Sequence, residues 1–386
     1  MEGNGRIHLS FVANRCLGNE EYQDIIKKKS SNHYRYSEVW VTSSFNNIRV
    51  PTITALGNFD GIHLGHRQVI QPVLPLDLHS DQQWGDEKNS VPESIGEPPY
   101  STVLTFSPHP QEFFSGKPRL LLSPLTEKIR QLAFLGVEQL VLLPFNQELS
   151  NLSPQAFVET ILLDLLKCQK ISIGEDFRFG YQRTGTAADL RAIAERFGIP
   201  VTLVPLHTHN QERISSSEIR AALESGQLER VNSLLGRSYT IQGQVIPGKQ
   251  IGRTLGFPTA NLKIPSEKFL PCSGVYCVWV WELMNPTTPW YQGDSFSIPC
   301  STMASDQWGR RPGVMNIGYR PTLGGTQQSI EVHLLDWTGD LYGKTLVLSL
   351  EKFLRPEQTL SSLPALQDQI AADCQIARHF FSLSSR

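Results

Sequence analysis

The sequence predicts two domains of different classes, an α/β domain followed by an all-β domain. The chain has 386 residues, more than one hydrophobic core usually serves, so two domains are expected. From Val39 to Leu206, short runs rich in apolar and β-branched residues alternate with longer helical patterns. After Gly236 the runs are short, several alternate with period two, and glycine, proline, aspartate and asparagine turns separate them.

The alternation in the first half predicts a mostly parallel sheet with helices on both faces. The predicted strands are VWV, TITAL, STVLTF, QLVLLPF, KISIG and VTLVPL. The predicted helices include HRQVIQPVLPL, PLTEKIRQLAFLG, SPQAFVETILLDLLK and TAADLRAIAERFG. Ser153 and Pro154 give the third of these an N-cap and a proline in the first turn. Because ligands bind at the carboxyl ends of strands in such sheets, a site is expected there.

The second half predicts an antiparallel barrel or sandwich, closed by an amphipathic C-terminal helix that packs on it. A helical stretch, SSSEIRAALESGQLERVNSLLGR, links the halves. Two polar segments, near 79–100 and 284–312, are interpreted as an exposed insertion and an irregular insertion. The expected divisions are a polar extension over 1–36, an α/β domain over 37–225 and an all-β domain over 226–386.

Composition restricts the class of protein. Hydrophobic residues make up 40% and charged residues 19% of the chain, as in a soluble globular protein. A net charge of −2 argues against a broad nucleic-acid surface. The six cysteines are scattered without a CxxC pair, which favours free thiols in a reducing compartment. Neither a signal peptide nor a membrane span is expected, so the cytoplasm is the predicted location.

The stretch GNFDGIHLGHRQVI, which begins at Gly57, follows a predicted strand and runs into a predicted helix. Glycines let the backbone turn tightly and approach a ligand. The start of a helix offers unpaired N–H groups and a positive dipole end to an anion. With the imidazoles of His63 and His66 added, the stretch favours a phosphate site, although surface polar residues or metal ligands are the alternatives.

A second glycine-rich stretch, GKQIGRTLGFPTANL, lies in the all-β half. It lacks the spacing of a Walker loop, yet its backbone N–H groups, Lys249 and Arg253 suit phosphates. Thr259 and Asn261 supply neutral oxygens of the kind that Mg²⁺ accepts while it keeps waters and substrate phosphates. An ordinary hairpin connection is the alternative.

The stretch SIEVHLLDW alternates with period two, which places Glu331 and His333 on the face opposite Ile330, Val332 and Leu334. From this pattern alone, Glu331 could be no more than a solvated carboxylate on the polar face of the strand.

Together these motifs resemble a known family. GNFDGIHLGH resembles the (H/T)xGH signature of nucleotidyltransferases and, in its longer form, the adenylyltransferase module of bacterial bifunctional riboflavin kinase/FAD synthetases. TFSPHP at 105–110, GEDFRFGYQRTG at 174–185 and RISSSEIR at 213–220 follow in that module's order. GKQIGRTLGFPTANL and EVHLLDWTGDLYG are similar to the kinase module. The resemblance covers roughly residues 37–380.

The resemblance implies a Rossmann-like, doubly wound nucleotidyltransferase domain and a C-terminal β-barrel riboflavin kinase domain with a terminal helix. It also implies two reactions. Riboflavin and ATP give FMN and ADP, and FMN with a second ATP then gives FAD and pyrophosphate. Mg²⁺ is expected to accompany ATP.

The resemblance also implies the site residues. Those expected at ATP are Gly57, Asn58, Asp60, Ser215, Ser217, Arg220, Gly248, Lys249 and Gly252. The expected catalytic residues are His63, His66 and Glu331. Those expected at the flavin are Asp176, Phe177, Phe179, Arg183 and Arg355, and those expected at the metal are Thr259 and Asn261. From the residues alone, Phe177 and Phe179 could equally be core, and Asp176 could cap a turn. Tyr276 and Trp279 are expected in the core.

The chain departs from the family pattern at three positions. Ser107 stands where an acidic residue is usual, Ser217 where threonine is usual, and Thr186 where aspartate is common.

Two other functions fit parts of the pattern. One is an adenylyltransferase for another substrate with an inactive barrel, against which the intact GFPTANL and Glu331 argue. The other is a non-enzymatic flavin-binding module, against which the pair of HxGH and SSSEIR argues.

Overall fold

The computed structural model describes residues 38–75, 98–206, 208–209, 212–248, 251–283, 295–299, 309–322 and 325–384. The predicted N-terminal extension, most of the first insertion and Lys249 lie outside these residues. Among the residues so described, no helix is both long and apolar enough to cross a membrane. The four cysteines in these ranges, Cys168, Cys272, Cys277 and Cys374, are free thiols.

The first half forms a twisted parallel sheet, as predicted. Its strands in chain order are β1 (Glu38–Thr42), β2 (Thr52–Leu56), β3 (Tyr100–Ser107), β4 (Gln139–Pro144), β5 (Cys168–Gly174) and, after two short strands β6 (Arg178–Phe179) and β7 (Gly185–Thr186), β8 (Val201–Val204). The sheet order is β1-β4-β3-β2-β5-β8, and every neighbouring pair among these six strands is parallel. A further short pair, β9 (Thr208–His209) and β10 (Glu212–Arg213), is antiparallel.

Helices cover both faces of the sheet, and the longer ones bury an apolar stripe against it. They are α1 (Leu64–Ile70), α2 (Pro110–Ser115), α3 (Leu125–Leu135), α4 (Gln147–Ser150), α5 (Pro154–Phe157), which continues as a π-helix over Val158–Leu165, and α6 (Ala187–Glu195). Ile70 and Leu132 pack in a buried cluster with Val103 on one face. Leu162 and Leu190 pack in a second cluster, on the helices that cover the other face. Short 3₁₀ turns span Phe45–Asn47, Gln71–Val73 and Tyr181–Arg183.

One strand of this sheet comes from the second half of the chain. Residues Ser295–Pro299 form β14, which pairs antiparallel with β1 at the sheet edge. The Oγ of Ser295 donates a hydrogen bond to Thr42 Oγ1 at 2.8 Å and accepts one from Asn47 Nδ2 at 2.9 Å. The prediction that the segment near 284–312 is an irregular insertion is therefore wrong at Ser295–Pro299, and residues 284–294 and 300–308 lie outside those described. The pentapeptide SFSIP pairs the edge that β1 would otherwise leave open. Tyr100 also begins β3 rather than ending the first insertion.

The second half is a closed antiparallel barrel, so the choice between barrel and sandwich is decided. Its strands, β11 (Tyr239–Ile246), β12 (Ala260–Lys263), β13 (Gly274–Leu283), β15 (Arg311–Thr322), β16 (Gly325–Leu334) and β17 (Thr345–Pro356), close in the order β11-β12-β16-β15-β13-β17. A short helix α9 (Ile251–Thr254) precedes β12. The terminal helix α10 (Leu363–Ser384) packs on the barrel, where Phe381 lies 4.5 Å from the ring of Trp279.

Two helices, α7 (Ser216–Glu224) and α8 (Leu228–Leu235), join the halves. Ile219 of α7, Leu235 of α8 and Leu122 of the α/β half belong to the same buried cluster as Tyr239 and Val332 of the barrel. The linking helices therefore pack against the barrel, and a single apolar cluster runs from the α/β half into it.

Candidate active sites

The first site begins in the tight loop between β2 and α1. Phe59, Gly61 and Ile62 have φ values of 46°, 87° and 41°. Phe59 and Ile62 are nevertheless fully buried beneath the loop. Burial of these two side chains offsets the strain of the left-handed backbone. The loop thereby holds its polar residues at the carboxyl end of β2, where the sequence predicts a ligand site.

His63 and His66 come together at the start of α1. His63 is the N-cap residue, and its Nδ1 accepts a hydrogen bond from the backbone N–H of His66 at 3.2 Å. The two rings stack with centroids 3.6 Å apart. Burial, and then the neighbouring His63 and Lys128, lower the pKa of His66 well below 6.5. The Nδ1 of His66 is buried without a hydrogen-bond partner among the described residues.

Asp60 joins this loop to the segment SSSEIR. Its buried carboxylate forms an ion pair with Arg220 and accepts a hydrogen bond from the backbone N–H of Ser123 at 3.1 Å. The hydroxyl of Ser216 donates to the backbone carbonyl of Asp60 at 2.8 Å. Ser215 is the N-cap of α7 and accepts from the N–H of Glu218 at 3.2 Å. Two segments more than 150 residues apart in the chain therefore meet at one site.

A cavity of about 820 Å³ opens beside these residues. Of the residues predicted at ATP or the flavin, Gly57, Asn58, Asp60, His63, His66, Asp176, Phe177, Phe179, Arg183 and Ser215 line it. Ser217 and Arg220 line a neighbouring cavity of about 520 Å³ instead. Gln111, Ser115 and Arg119 line both cavities, so the two cavities adjoin.

The predicted flavin-side residues divide into core and rim. Phe179 is only 4% exposed and lies 5.4 Å from Phe157, so the core alternative holds for most of its ring. Phe177 is half-buried and stacks on Phe179 at 5.9 Å. Asp176 and Arg183 are exposed at the rim of the cavity.

Thr186, one of the departures from the family pattern, has a clear structural role. Its Oγ1 accepts from the N–H of Asp189 at 3.1 Å, and Asp189 Oδ2 accepts from the N–H of Thr186 at 2.9 Å. This is a capping box at the start of α6. Threonine and aspartate both serve as N-caps, so the replacement keeps the cap.

Three residues at this site were missed by the sequence interpretation. Lys128 is buried on α3 and its Nζ donates to the carbonyl of Asn58 at 3.0 Å. It occupies an apolar position of the helix, four residues before Leu132, and that misplaced charge was an available signal. His109 caps α2, with Nδ1 accepting from the N–H of Gln111 at 3.1 Å. Neither His109 nor Arg119 stands out from its neighbours by spacing.

The second site lies on the barrel, where β12 and β16 pair and bring Asn261 opposite Glu331. Thr259 Oγ1 donates a hydrogen bond to Glu331 Oε2 at 3.1 Å. The glycine loop packs directly on these side chains. A Cβ added at Gly248 would lie 2.5 Å from Asn261 Cγ, and one added at Gly252 would lie 3.3 Å from Thr259 Oγ1.

The alternation predicted for β16 is confirmed. Ile330, Val332 and Leu334 are buried, whereas Glu331 and His333 are half-buried on the other face. The Nδ1 of His333 donates to the carbonyl of Pro258 at 2.8 Å, so this ring contacts the GFPTANL loop.

The other barrel residues that the sequence analysis singles out do not contact Glu331 among the described contacts. Arg355 forms an ion pair with Asp373 of the terminal helix at 2.8 Å, which engages the guanidinium proposed to meet the flavin. Tyr276 is fully buried and Trp279 packs against Phe381, so both belong to the core as expected. Lys249 falls outside the described residues.

The fold and the two sites define a two-domain nucleotide-using transferase, in which an HxGH nucleotidyltransferase domain precedes a barrel with a glycine loop and a carboxylate. The FAD synthetase family profile matches residues 91–218, and the riboflavin kinase profile matches residues 235–381. The chain belongs to the family of bifunctional riboflavin kinase/FMN adenylyltransferases. It phosphorylates riboflavin to FMN and adenylylates FMN to FAD with release of pyrophosphate.

Named relatives span most of the chain. The bifunctional riboflavin kinase/FMN adenylyltransferase of Escherichia coli K12 is 35% identical over 333 residues, which cover 86% of this chain and 93% of the relative. The enzyme of the same name from Listeria monocytogenes is 34% identical over 334 residues, covering 86% and 92%. The crystal structure of a macrolide-efflux protein from Streptococcus pneumoniae superposes with a TM-score of 0.69 at 26% identity, covering 88% of this chain and 98% of that one.

Proposed function

We propose that the loop Gly57–His66 and the segment Ser215–Arg220 bind the triphosphate of ATP in the FAD-forming reaction. The observation that carries this assignment is the contact of Asp60 with Arg220, which brings both segments to adjoining cavities. Asp60 itself is held by Arg220 and by the N–H of Ser123, so its role is to fix the loop and the guanidinium rather than to meet phosphate. Arg119 supplies positive charge to the wall that the two cavities share, and Arg220 supplies it to the smaller cavity.

In this reaction a phosphate oxygen of FMN attacks the α-phosphorus of ATP. One P–O bond forms while the bond to the leaving pyrophosphate breaks, so negative charge grows on the leaving group. Hydrogen-bond donors fixed beside the leaving oxygen of pyrophosphate stabilise the developing charge. His63 and His66 are the donors that we assign. Bound phosphate raises the pKa of a neighbouring imidazole, because a nearby opposite charge favours the protonated form.

We assign the flavin ring to the side of the larger cavity that Phe177 and Phe179 line. The half-buried Phe177 offers an aromatic face, and offset stacking of such rings is favourable. Phe179 supports Phe177 from the core, since the two rings stack and Phe179 is buried against Phe157. Asp176 and Arg183 provide polar groups at the rim.

On the barrel, we assign Glu331 as the base that accepts the proton of the terminal riboflavin hydroxyl. The hydrogen bond from Thr259 fixes one carboxylate oxygen at 3.1 Å, which orients the carboxylate toward the glycine loop. A positioned acceptor of this kind is what phosphoryl transfer to an alcohol requires, since the remaining work is alignment and charge stabilisation.

The residues beside Glu331 fit a divalent cation bound with ATP, and we assign Mg²⁺. Thr259 and Asn261 offer a hydroxyl and an amide oxygen, the hard neutral donors that Mg²⁺ accepts. Gly248 and Gly252 leave the room that a Cβ would fill next to both side chains. The cation would neutralise phosphate charge, while Thr259, Asn261 and Glu331 hold the surrounding geometry.

The metal assignment is tested with Thr259→Val, which keeps the shape of the side chain and removes its oxygen. Riboflavin phosphorylation by the variant should need a higher Mg²⁺ concentration for half-maximal rate, whereas FMN adenylylation should keep its Mg²⁺ dependence. Thr240→Val is the matched control, because Thr240 lies on β11 opposite Ser349 rather than beside Glu331. Equal Mg²⁺ curves for Thr259→Val and wild type would contradict the assignment.

A further inference from the structure

The phosphate loop of the adenylyltransferase site is held by a residue of the kinase half. Arg237, which lies between α8 and β11 and within the riboflavin kinase match, donates from Nη2 to the carbonyl of Gly61 at 2.7 Å. Gly61 has a φ of 87° and follows Asp60 directly. The contact therefore fixes the loop at the residue where its backbone turns between Asp60 and His63.

Residues of the kinase half also contact the backbone segment Leu122–Ser123, which binds the carboxylate of Asp60. Lys268 Nζ donates to the carbonyl of Leu122 at 2.7 Å and pairs with Glu127 at 2.6 Å. Tyr239 donates to the same carbonyl at 3.2 Å. Ser123, the next residue, gives its N–H to the Asp60 carboxylate.

The backbones of the two halves also pair at this point. Leu121 and Lys268 form a parallel bridge, in which the N–H of Leu121 donates to Glu267 at 2.6 Å and the N–H of Phe269 donates to Leu121 at 2.8 Å. Lys268 and Glu127 are both buried, so removing either one would leave the other as an unpaired buried charge. The second half thus contacts both the residue after Asp60 and the residue before Ser123.

We propose that Arg237 is a positioning residue for FAD formation, and that the adenylyltransferase site is complete only with the kinase half docked against it. The inference rests on the phosphate role proposed for the loop Gly57–His66. Arg237 orders the loop by binding Gly61, while Lys268 and Tyr239 order Leu122 and hence the amide that grips Asp60. Without these contacts the histidines and the Asp60–Arg220 pair lose their fixed relation to ATP.

The test compares Arg237→Gln with wild type in two separate assays, FMN to FAD and riboflavin to FMN. The substitution removes the charge and shortens the reach to Gly61. Misplacement of a catalytic group by about 1 Å costs up to about 100-fold, so kcat/KM for FAD formation should fall by about 10- to 100-fold. The loss should include a raised KM for ATP and an unchanged KM for FMN. Riboflavin phosphorylation should stay at the wild-type rate.

Two further variants separate positioning from general destabilisation. Arg237→Lys keeps a cationic donor and should recover part of the lost FAD formation. Arg130→Gln is the matched control, because Arg130 also crosses to the barrel, donating to Gln242 at 2.5 Å, but does not contact the phosphate loop. FAD formation by Arg130→Gln should match wild type.

The positioning role of Arg237 is overturned if Arg237→Gln forms FAD at the wild-type rate, if it lowers both reactions equally, or if Arg130→Gln lowers FAD formation as much. A substitution of His63 distinguishes an error in the role of Arg237 from an error in the phosphate role of the loop Gly57–His66. If FAD formation is insensitive to both His63→Asn and Arg237→Gln, the phosphate role of the loop is wrong. If it is sensitive to His63→Asn alone, the positioning role of Arg237 is wrong.

Discussion

Asp60 and Arg220 stand 160 residues apart in the chain, and their ion pair joins the loop after β2 to the first turns of α7. The two side chains are 5% and 15% exposed, so the pair is shielded from water. Arg220 also donates to the carbonyls of Ser216 and Leu120, both at 3.2 Å. These contacts orient the guanidinium, and that orientation depends on Asp60.

The pair gives a stability prediction. Asp60→Asn leaves the Arg220 charge buried without its counter-ion, which typically costs about 3–5 kcal/mol in the free energy of unfolding. The double variant Asp60→Asn/Arg220→Gln should lose less than the sum of the single losses, because the orphaned charge is gone. Denaturant unfolding of the four proteins measures this coupling.

An exposed ion pair on α6 provides the control for this measurement. Arg191 and Glu195 lie 3.8 Å apart with side chains 49% and 60% exposed. Glu195→Gln should change the free energy of unfolding by less than about 0.5 kcal/mol. Equal losses for Asp60→Asn and Glu195→Gln would show that the buried pair contributes no more than a surface pair.

His63→Asn should strongly slow FAD synthesis without unfolding α1. Asparagine is a good N-cap, so the cap that His63 provides is kept while the imidazole is lost. Removal of one preorganised donor typically costs about 10²–10³ in rate, and His63→Asn/His66→Ala should leave FMN as the accumulating product. Chromatographic separation of flavins after incubation with riboflavin and ATP measures both steps.

His379→Ala is the control for the histidine substitutions, since His379 is exposed on the terminal helix. Its FAD output should equal that of wild type. If His63→Asn/His66→Ala still makes FAD at the wild-type rate, the two rings do not act on the phosphates.

The sequence was sufficient for those features that local spacing determines. Period two in SIEVHLLDW placed Glu331 on the polar face, and the structure confirms that side of the strand. The alternation of strand and helix in the first half also predicts the parallel sheet correctly, because each element must bury its own apolar face.

Features that depend on contacts distant in the chain could not be predicted. Asp60 was expected at phosphate, but only the fold brings Arg220 against its carboxylate. Arg355 was expected at the flavin, and Asp373, which pairs with it, carries no local signal. The strand Ser295–Pro299 was missed because a five-residue run inside a polar segment becomes a strand only beside an open sheet edge.

His109 gives a prediction about pH. Burial, and then the nearby Arg119, lower the pKa of His109 from 6.5 to about 4 in the folded protein. Between these two values the unfolded chain binds more protons than the folded one. The contribution of His109 to stability is therefore complete above about pH 6.5 and is lost as the pH falls toward about 4.

The substitution His109→Asn isolates this effect, because asparagine also accepts a hydrogen bond at the N-cap of α2. The free energy of unfolding of the variant should fall less steeply with acid through that window than that of wild type. Parallel urea-unfolding curves for wild type and His109→Asn across the window would show that His109 is not the group responsible.

Glu331→Gln should separate the two reactions of the enzyme. Glutamine keeps the size of the side chain and an oxygen for the Thr259 hydroxyl, but it cannot accept the riboflavin proton. A positioned base typically contributes about 10²–10⁴ in rate, so riboflavin phosphorylation should slow by that amount while flavin affinity stays near that of wild type. Supplied FMN should still become FAD, because His63, Asp60 and Arg220 line cavities in the other half.

Glu282→Gln is the control on the same barrel, where Glu282 pairs with Lys344 at 2.8 Å. A phosphorylation rate close to that of wild type in Glu331→Gln would remove Glu331 as the base. A joint loss of flavin affinity and both reaction rates would make Glu331 a structural residue.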